Sequence, residues 1–139
     1  MQLRPLSIAI LLVLFAISGV STARGAAPKR IPKTLVEVWC GGDDGLTQRL
    51  KDSIDHQFKG SDDFEMSFGK KPKTLIVTIP SNVSWKQNGK RTEVFYNVAF
   101  TSIKGEILGG SRGSCFDDDL AKCSVHIFSD AQVAASKVQ

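Results

Sequence analysis

A single α+β domain, one mixed or antiparallel sheet with two helices packed on one face, is predicted by three features of the 139-residue chain. A β-branched run ends in glycines and leads into a stretch with apolar residues at every fourth position. A long central stretch alternates with period two after an Asn-Gly pair. An aspartate triplet then opens a second helical stripe. The expected order is strand, helix, four strands, helix (β-α-β-β-β-β-α).

Residues 1–23 read as an export signal. Arg4 is the one charged residue, Leu6 to Val20 is almost all apolar, and Ser21, Thr22 and Ala23 supply the small residues of a cleavage site. The apolar run, about 15 residues, is shorter than the roughly 20 a spanning helix needs, and no cysteine follows it to accept a lipid. A cut after Ala23 leaves 116 of the 139 residues and lowers the formal charge from +4 to +3. Gly25, Ala26 and Ala27 offer a second cut. Residues 24–33, with Lys29, Arg30 and Lys33, form a flexible basic lead-in, and residues 34–139 form the domain. That length holds one core, which excludes a multidomain enzyme or a membrane bundle. A periplasmic or secreted location follows, with no stable membrane span after cleavage.

Each element has a local cause. Thr34 to Cys40 is β-branched and aromatic, with Val36, Val38 and Cys40 on one face, and stops at Gly41 and Gly42. Asp43 or Asp44 can cap a helix over Asp44 to Phe58, in which Leu46, Leu50, Ile54 and Phe58 recur every fourth residue and Gly60 ends the run. Phe64, Met66 and Phe68 alternate in a short strand. Thr74 to Ile79 is apolar enough for a strand covered on both faces, and Pro80 marks a bulge or an edge. Asn88-Gly89 is the strongest hairpin signal, and Val94, Tyr96, Val98 and Phe100 then point one way along a long strand. Lys104-Gly105 turns into a last strand, Glu106 to Leu108, which fades into Gly109, Gly110 and Gly113. Asp117, Asp118 and Asp119 favour a helix start, and Leu120, Cys123, Ile127, Phe128, Ala131, Ala134 and Ala135 keep its buried stripe.

Export places Cys40, Cys115 and Cys123 where disulfides persist. Cys115 and Cys123 are the favoured pair and leave Cys40 as a free thiol, although Cys40 could replace either partner if its strand lies beside the second helix. No cofactor is expected. Three scattered cysteines and the separated His56 and His126 lack the spacing of a metal site. The loop Gly41 to Gly45 sits where nucleotide folds hold phosphate, but its two aspartates would repel an anion, so helix capping is the better reading. The acidic pairs and triplet lack the calcium loop's closing glutamate. Lys70, Lys71, Lys73, Lys86, Lys90 and Arg91 form a candidate surface for an anionic partner, while export and the modest charge argue against nucleic acid. Asn82-Val83-Ser84 matches a glycosylation acceptor, relevant only in a eukaryote.

From Leu35 to Phe68, the strand, the glycine and aspartate loop, the helix and the step through Gly60, Asp62, Phe64 and Met66 resemble the small α+β domains of bacterial envelope proteins. Examples are the amino-terminal domain of the Tol-system propeller protein and the periplasmic domain of the curli secretion pore. The closing Gly113 to Cys123 segment resembles small periplasmic proteins of Proteobacteria. The resemblance implies a fold and a compartment and carries no catalytic residue. The expected function is therefore a non-enzymatic accessory or binding protein of the envelope that meets another envelope protein, or an anionic surface component, through its sheet edge or lysines. A thiol enzyme using Cys40 and a small-molecule carrier between sheet and helices are the rivals.

Overall fold

The computed structural model describes residues 25–138; the expected export signal lies outside them. Gly25 to Arg30 is exposed chain without regular structure, and the folded unit starts at Ile31.

Seven residues, Thr34–Cys40, form β1, and Val36, its third residue, is fully buried. Helix α1 runs over Gly45–Lys59 because Asp44, in extended conformation, accepts a hydrogen bond from Thr47 N at 2.7 Å. Its stripe of Leu50, Ile54 and Phe58 is buried, each side chain contributing about 1.5–3 kcal/mol on leaving water. Phe64–Met66 is β2 and Thr74–Ile79 is β3. Both lie parallel to β1, one on each side. Because α1 covers one face, the connection Ser67 to Lys73 must return across the other, and Lys70 N there donates to Glu37 Oε2 of β1 at 3.2 Å.

Pro80 ends β3, and the chain resumes as β4, Ser84–Asn88. Gly89, at φ +63°, turns it into the eleven-residue β5, Arg91–Thr101. Strands β3 and β4 both run antiparallel to β5 along the same edge, Thr78 opposite Ala99 and Ser84 opposite Phe95, so they are two halves of one bent ribbon. The other edge of β5 is taken by β6, Ile107–Phe116. Helix α2, Leu120–Ala135, closes the chain beside α1.

The architecture is an α+β fold with a single mixed sheet, six strands and two helices. Six strands exceed the expected five because β4 is a strand in its own right. The last strand is also longer than its glycines suggested, reaching Phe116. Gly113 is required there, since a Cβ at that position would meet the Tyr96 hydroxyl at 2.7 Å. Phe68 lies outside β2 and is exposed.

The aspartate triplet does something other than cap. Asp119 makes no side-chain capping bond. Asp117 Oδ1 instead accepts from Thr92 N at 3.3 Å, and Asp118 takes two hydrogen bonds from Arg91. Carboxylates beside a strand with free donors satisfied those donors first.

Candidate functional site: an open sheet face and its free edge

Alternation along the strands sends Val36, Leu75, Val77, Val94, Val98 and Phe100 toward the helices, where all are buried. Phe58, Phe64 and Phe128 occupy the space between the layers, with ring centroids 4.9–5.4 Å apart. That filling leaves little room for the carrier's cargo.

The opposite residues make the second face. One row across the sheet reads Trp39, Thr78, Ala99, Gly110. Another reads Ser84, Phe95, Ser114, and between them Arg112 Nε donates to Asn97 Oδ1 at 3.0 Å. Small side chains thus floor a shallow trough with an aromatic side chain toward each end. Trp39 is 37% exposed and Phe95 39%, high values for aromatics in a sheet. Trp39 is fixed rather than loose: its Nε1 donates to Glu37 Oε1 at 2.9 Å and the Lys70 ammonium lies 5.0 Å from its ring.

The six basic residues expected to form one surface do not. Lys73 precedes β3 while Lys86, Lys90 and Arg91 belong to the β4–β5 hairpin, about 30 Å away along β5 at 3.3 Å per residue. Arg91 is engaged, 3.7 Å over the Phe116 ring and paired with Asp118 at 2.5 Å. The Arg91 hydrogen bond holds the Asp118 carboxyl below the usual carboxylate range, and Asp118 in turn raises the Arg91 guanidinium. Lys73 instead joins Lys104 and Lys137 around an open cavity of about 530 Å³, with Glu106 on its wall. Sequence spacing gave no sign of this trio; the strand register and the return of the chain through α2 bring it together.

Cys115 and Cys123 are disulfide-bonded with Cα atoms 5.7 Å apart, tying β6 to α2. Cys40 is free and half-buried; its Sγ donates to Gly42 O at 3.3 Å, and Gln48 Nε2 lies 3.7 Å from it. The neighbouring loop is already satisfied, since Asn82 Oδ1 accepts from Asp43 N and Asp44 N, the donors a phosphate would use. The Asn82 amide returns a bond to Asp43 Oδ1 at 3.2 Å, so the residue of the glycosylation pattern is a structural bracket. Among the described residues no group of three or more acidic, histidine or cysteine side chains is placed to hold a metal ion.

One polar network was not foreseen. The Tyr96 hydroxyl is hydrogen-bonded to His126 Nδ1, and His126 Nε2 lies 3.6 Å from Asp130. Burial raises the Tyr96 phenol, the Ser111 hydroxyl pulls the other way, and the Asp130 charge adds to the rise. His126 stood beside the predicted stripe, but nothing in the sequence linked it to a tyrosine thirty residues away.

No family model matches the chain, and no curated protein matches it in sequence. Solved structures do. A minor lipoprotein from Acinetobacter baumannii is similar over 78% of this chain and 96% of its own, with TM-score 0.50 and 9% identity. A Xanthomonas campestris protein of the DUF330 family is similar over 80% of this chain and 91% of its own, with TM-score 0.52 and 8% identity. At such identities the likeness is one of fold. It lends nothing to the Tol-system and curli resemblance.

Proposed function

We propose that the chain is an exported, non-enzymatic binding protein of the bacterial envelope, periplasmic or secreted, whose open sheet face receives an envelope protein. The half-exposed pair Trp39 and Phe95, standing over small residues on a face that no helix among the described residues covers, carries the reading. Aromatic side chains held rigid at a surface bring large contact area at small entropic cost, which is why they concentrate binding energy in interfaces. Arg112 supplies the charged anchor. Support for the compartment comes from the signal-like start and from a fold shared with a lipoprotein, and among the described residues no helix is long and apolar enough to cross a membrane. The absence of catalysis is supported by Cys40, which faces a carbonyl and an amide rather than a histidine. The test is crosslinking in intact cells of the native host, followed by recovery of the protein with its partner. A defined partner lost in Trp39→Ala/Phe95→Ala is the expected result; recovery unaffected by the double substitution, or a protein retained in the cytosol, refutes the proposal.

A second reading, an anionic surface component, is favoured by the lysine-lined cavity at Lys73, Lys104 and Lys137. Binding to anionic vesicles that weakens with salt and disappears when the three lysines become glutamine would establish it. Binding unchanged by those substitutions would dismiss it.

A further inference from the structure

The outer edge of β6 is ten residues long, pairs only with β5 among the described strands, and contains neither proline nor lysine, the usual guards against strand addition. The register says which groups are free. Asp117 N donates to Thr92 O, so odd-numbered residues of β6 bond to β5 and Gly110, Arg112, Ser114 and Phe116 turn their backbone groups outward. At the near end Lys137 Nζ donates to Leu108 O at 3.0 Å and closes the edge there. The open segment therefore begins just beyond Leu108.

We propose that this segment pairs antiparallel with the same segment of a second copy, about a twofold axis at Gly113, to give one continuous sheet. The sequence of the edge selects both partner and register. An axis at Gly113 sets Arg112 opposite Ser114 of the copy. Ser114 Oγ already donates to Glu93 Oε1 at 2.9 Å, so each Arg112 meets the Glu93 carboxylate of the other subunit. An axis at Arg112 would instead oppose two like charges. The same placement sets Phe116 opposite Gly110, beside the hollow of about 470 Å³ lined by Asn97, Ala99, Gly109 and Arg112. A ring faces a gap in both halves, as a twofold interface requires.

The helix layer agrees. Tyr96 is bonded to His126 near the middle of α2, and Leu108 to Lys137 just past its C-terminal end, so the side of α2 carrying His126, Asp130 and Val133 lies along β6. Val133 on that side is 64% exposed. In the pair, two α2 helices come side by side and Val133 is covered. The interface makes about eight backbone hydrogen bonds over a modest area, which fits a weak, concentration-dependent dimer.

Sedimentation equilibrium of the purified protein over a wide concentration range decides the question, with far-UV circular dichroism to confirm folding of each variant. A reversible monomer to dimer equilibrium is expected. Arg112→Glu should weaken it about tenfold or more, and Arg112→Glu/Glu93→Arg should restore most of the loss. Ser114→Pro removes an outward donor while leaving the β5 ladder intact, and should give a folded monomer. A wild type that stays monomeric throughout, or a dimer indifferent to both charge reversal and Ser114→Pro, overturns the proposal. Neither result touches the Trp39 and Phe95 reading, which is tested separately by recovery of the partner from the native host.

Discussion

Reducing the Cys115–Cys123 bond should cost stability in a calculable amount. The two residues are eight apart in sequence, so the bridge closes a short loop across the end of β6 and the first turn of α2. In the chain-entropy treatment a loop of that size removes about 8 cal/mol/K from the unfolded ensemble, or about 2.5 kcal/mol at 25 °C. Both cysteines are buried, and Cys123 packs in the stripe with Leu120 and Ile127, so the thiols stay enclosed after reduction and little else changes. The predicted loss is a substantial fraction of the 5–15 kcal/mol that holds a domain of this kind together. Urea unfolding followed by tryptophan fluorescence, with and without a reducing agent, measures it. The midpoint should fall with little change in the native spectrum, and Cys40, already free, gives no competing effect. An unchanged midpoint in fully reduced protein would show that the bridge is not an element of stability.

Other outcomes follow from single sites. Gly42→Ala would place a Cβ 2.5 Å from Asn82 Oδ1 and 2.7 Å from Thr47 Cγ2, so the Asn82 bracket must open; thermal melts should show a loss of about 1–3 kcal/mol, and a neutral result would mean the bracket carries no strain. Tyr96 is the only tyrosine, so its ultraviolet titration reads one group; the midpoint should lie above the ordinary 10.0, and a midpoint at or below that value contradicts its burial. Because the folded phenol is shifted upward, its contribution to stability is complete below the unfolded pKa and is lost as pH rises through the folded one. Asp118 behaves oppositely: its lowered carboxyl supports the fold above the unfolded carboxylate pKa and loses that support as pH falls through its own. The effect should vanish in Arg91→Gln, and persistence there would assign it to another group.

Elements with a strong period were legible from residues alone. The run Thr34 to Cys40, the fourfold spacing from Leu46 to Phe58 and the alternation after Asn88-Gly89 each specify a local structure that tertiary packing then keeps. Strand β4 was not foreseen because Ser84 to Asn88 is exposed throughout and so carries no buried face to read. Strand β6 was cut short because Gly109, Gly110 and Gly113 have low strand preference; it forms because β5 offers a ladder and the Tyr96 hydroxyl needs the space at Gly113. The site was harder still. Trp39 and Phe95 look like core residues in sequence, and their place on the open face depends on which side the helices take. The basic residues formed one patch on paper only, because the length of β5 keeps the loop before β3 and the hairpin apart.

The most direct test of the account is to map contacts by face in living cells. A photo-crosslinking residue placed at Trp39, Phe95 or Arg112 on the open side, or at Lys51, Asp52 or Val125 on the helical side, would report which surface meets another protein. Adducts from the first three positions and none from the last three are expected. Adducts confined to the helical positions would show that the bare sheet is not the working surface.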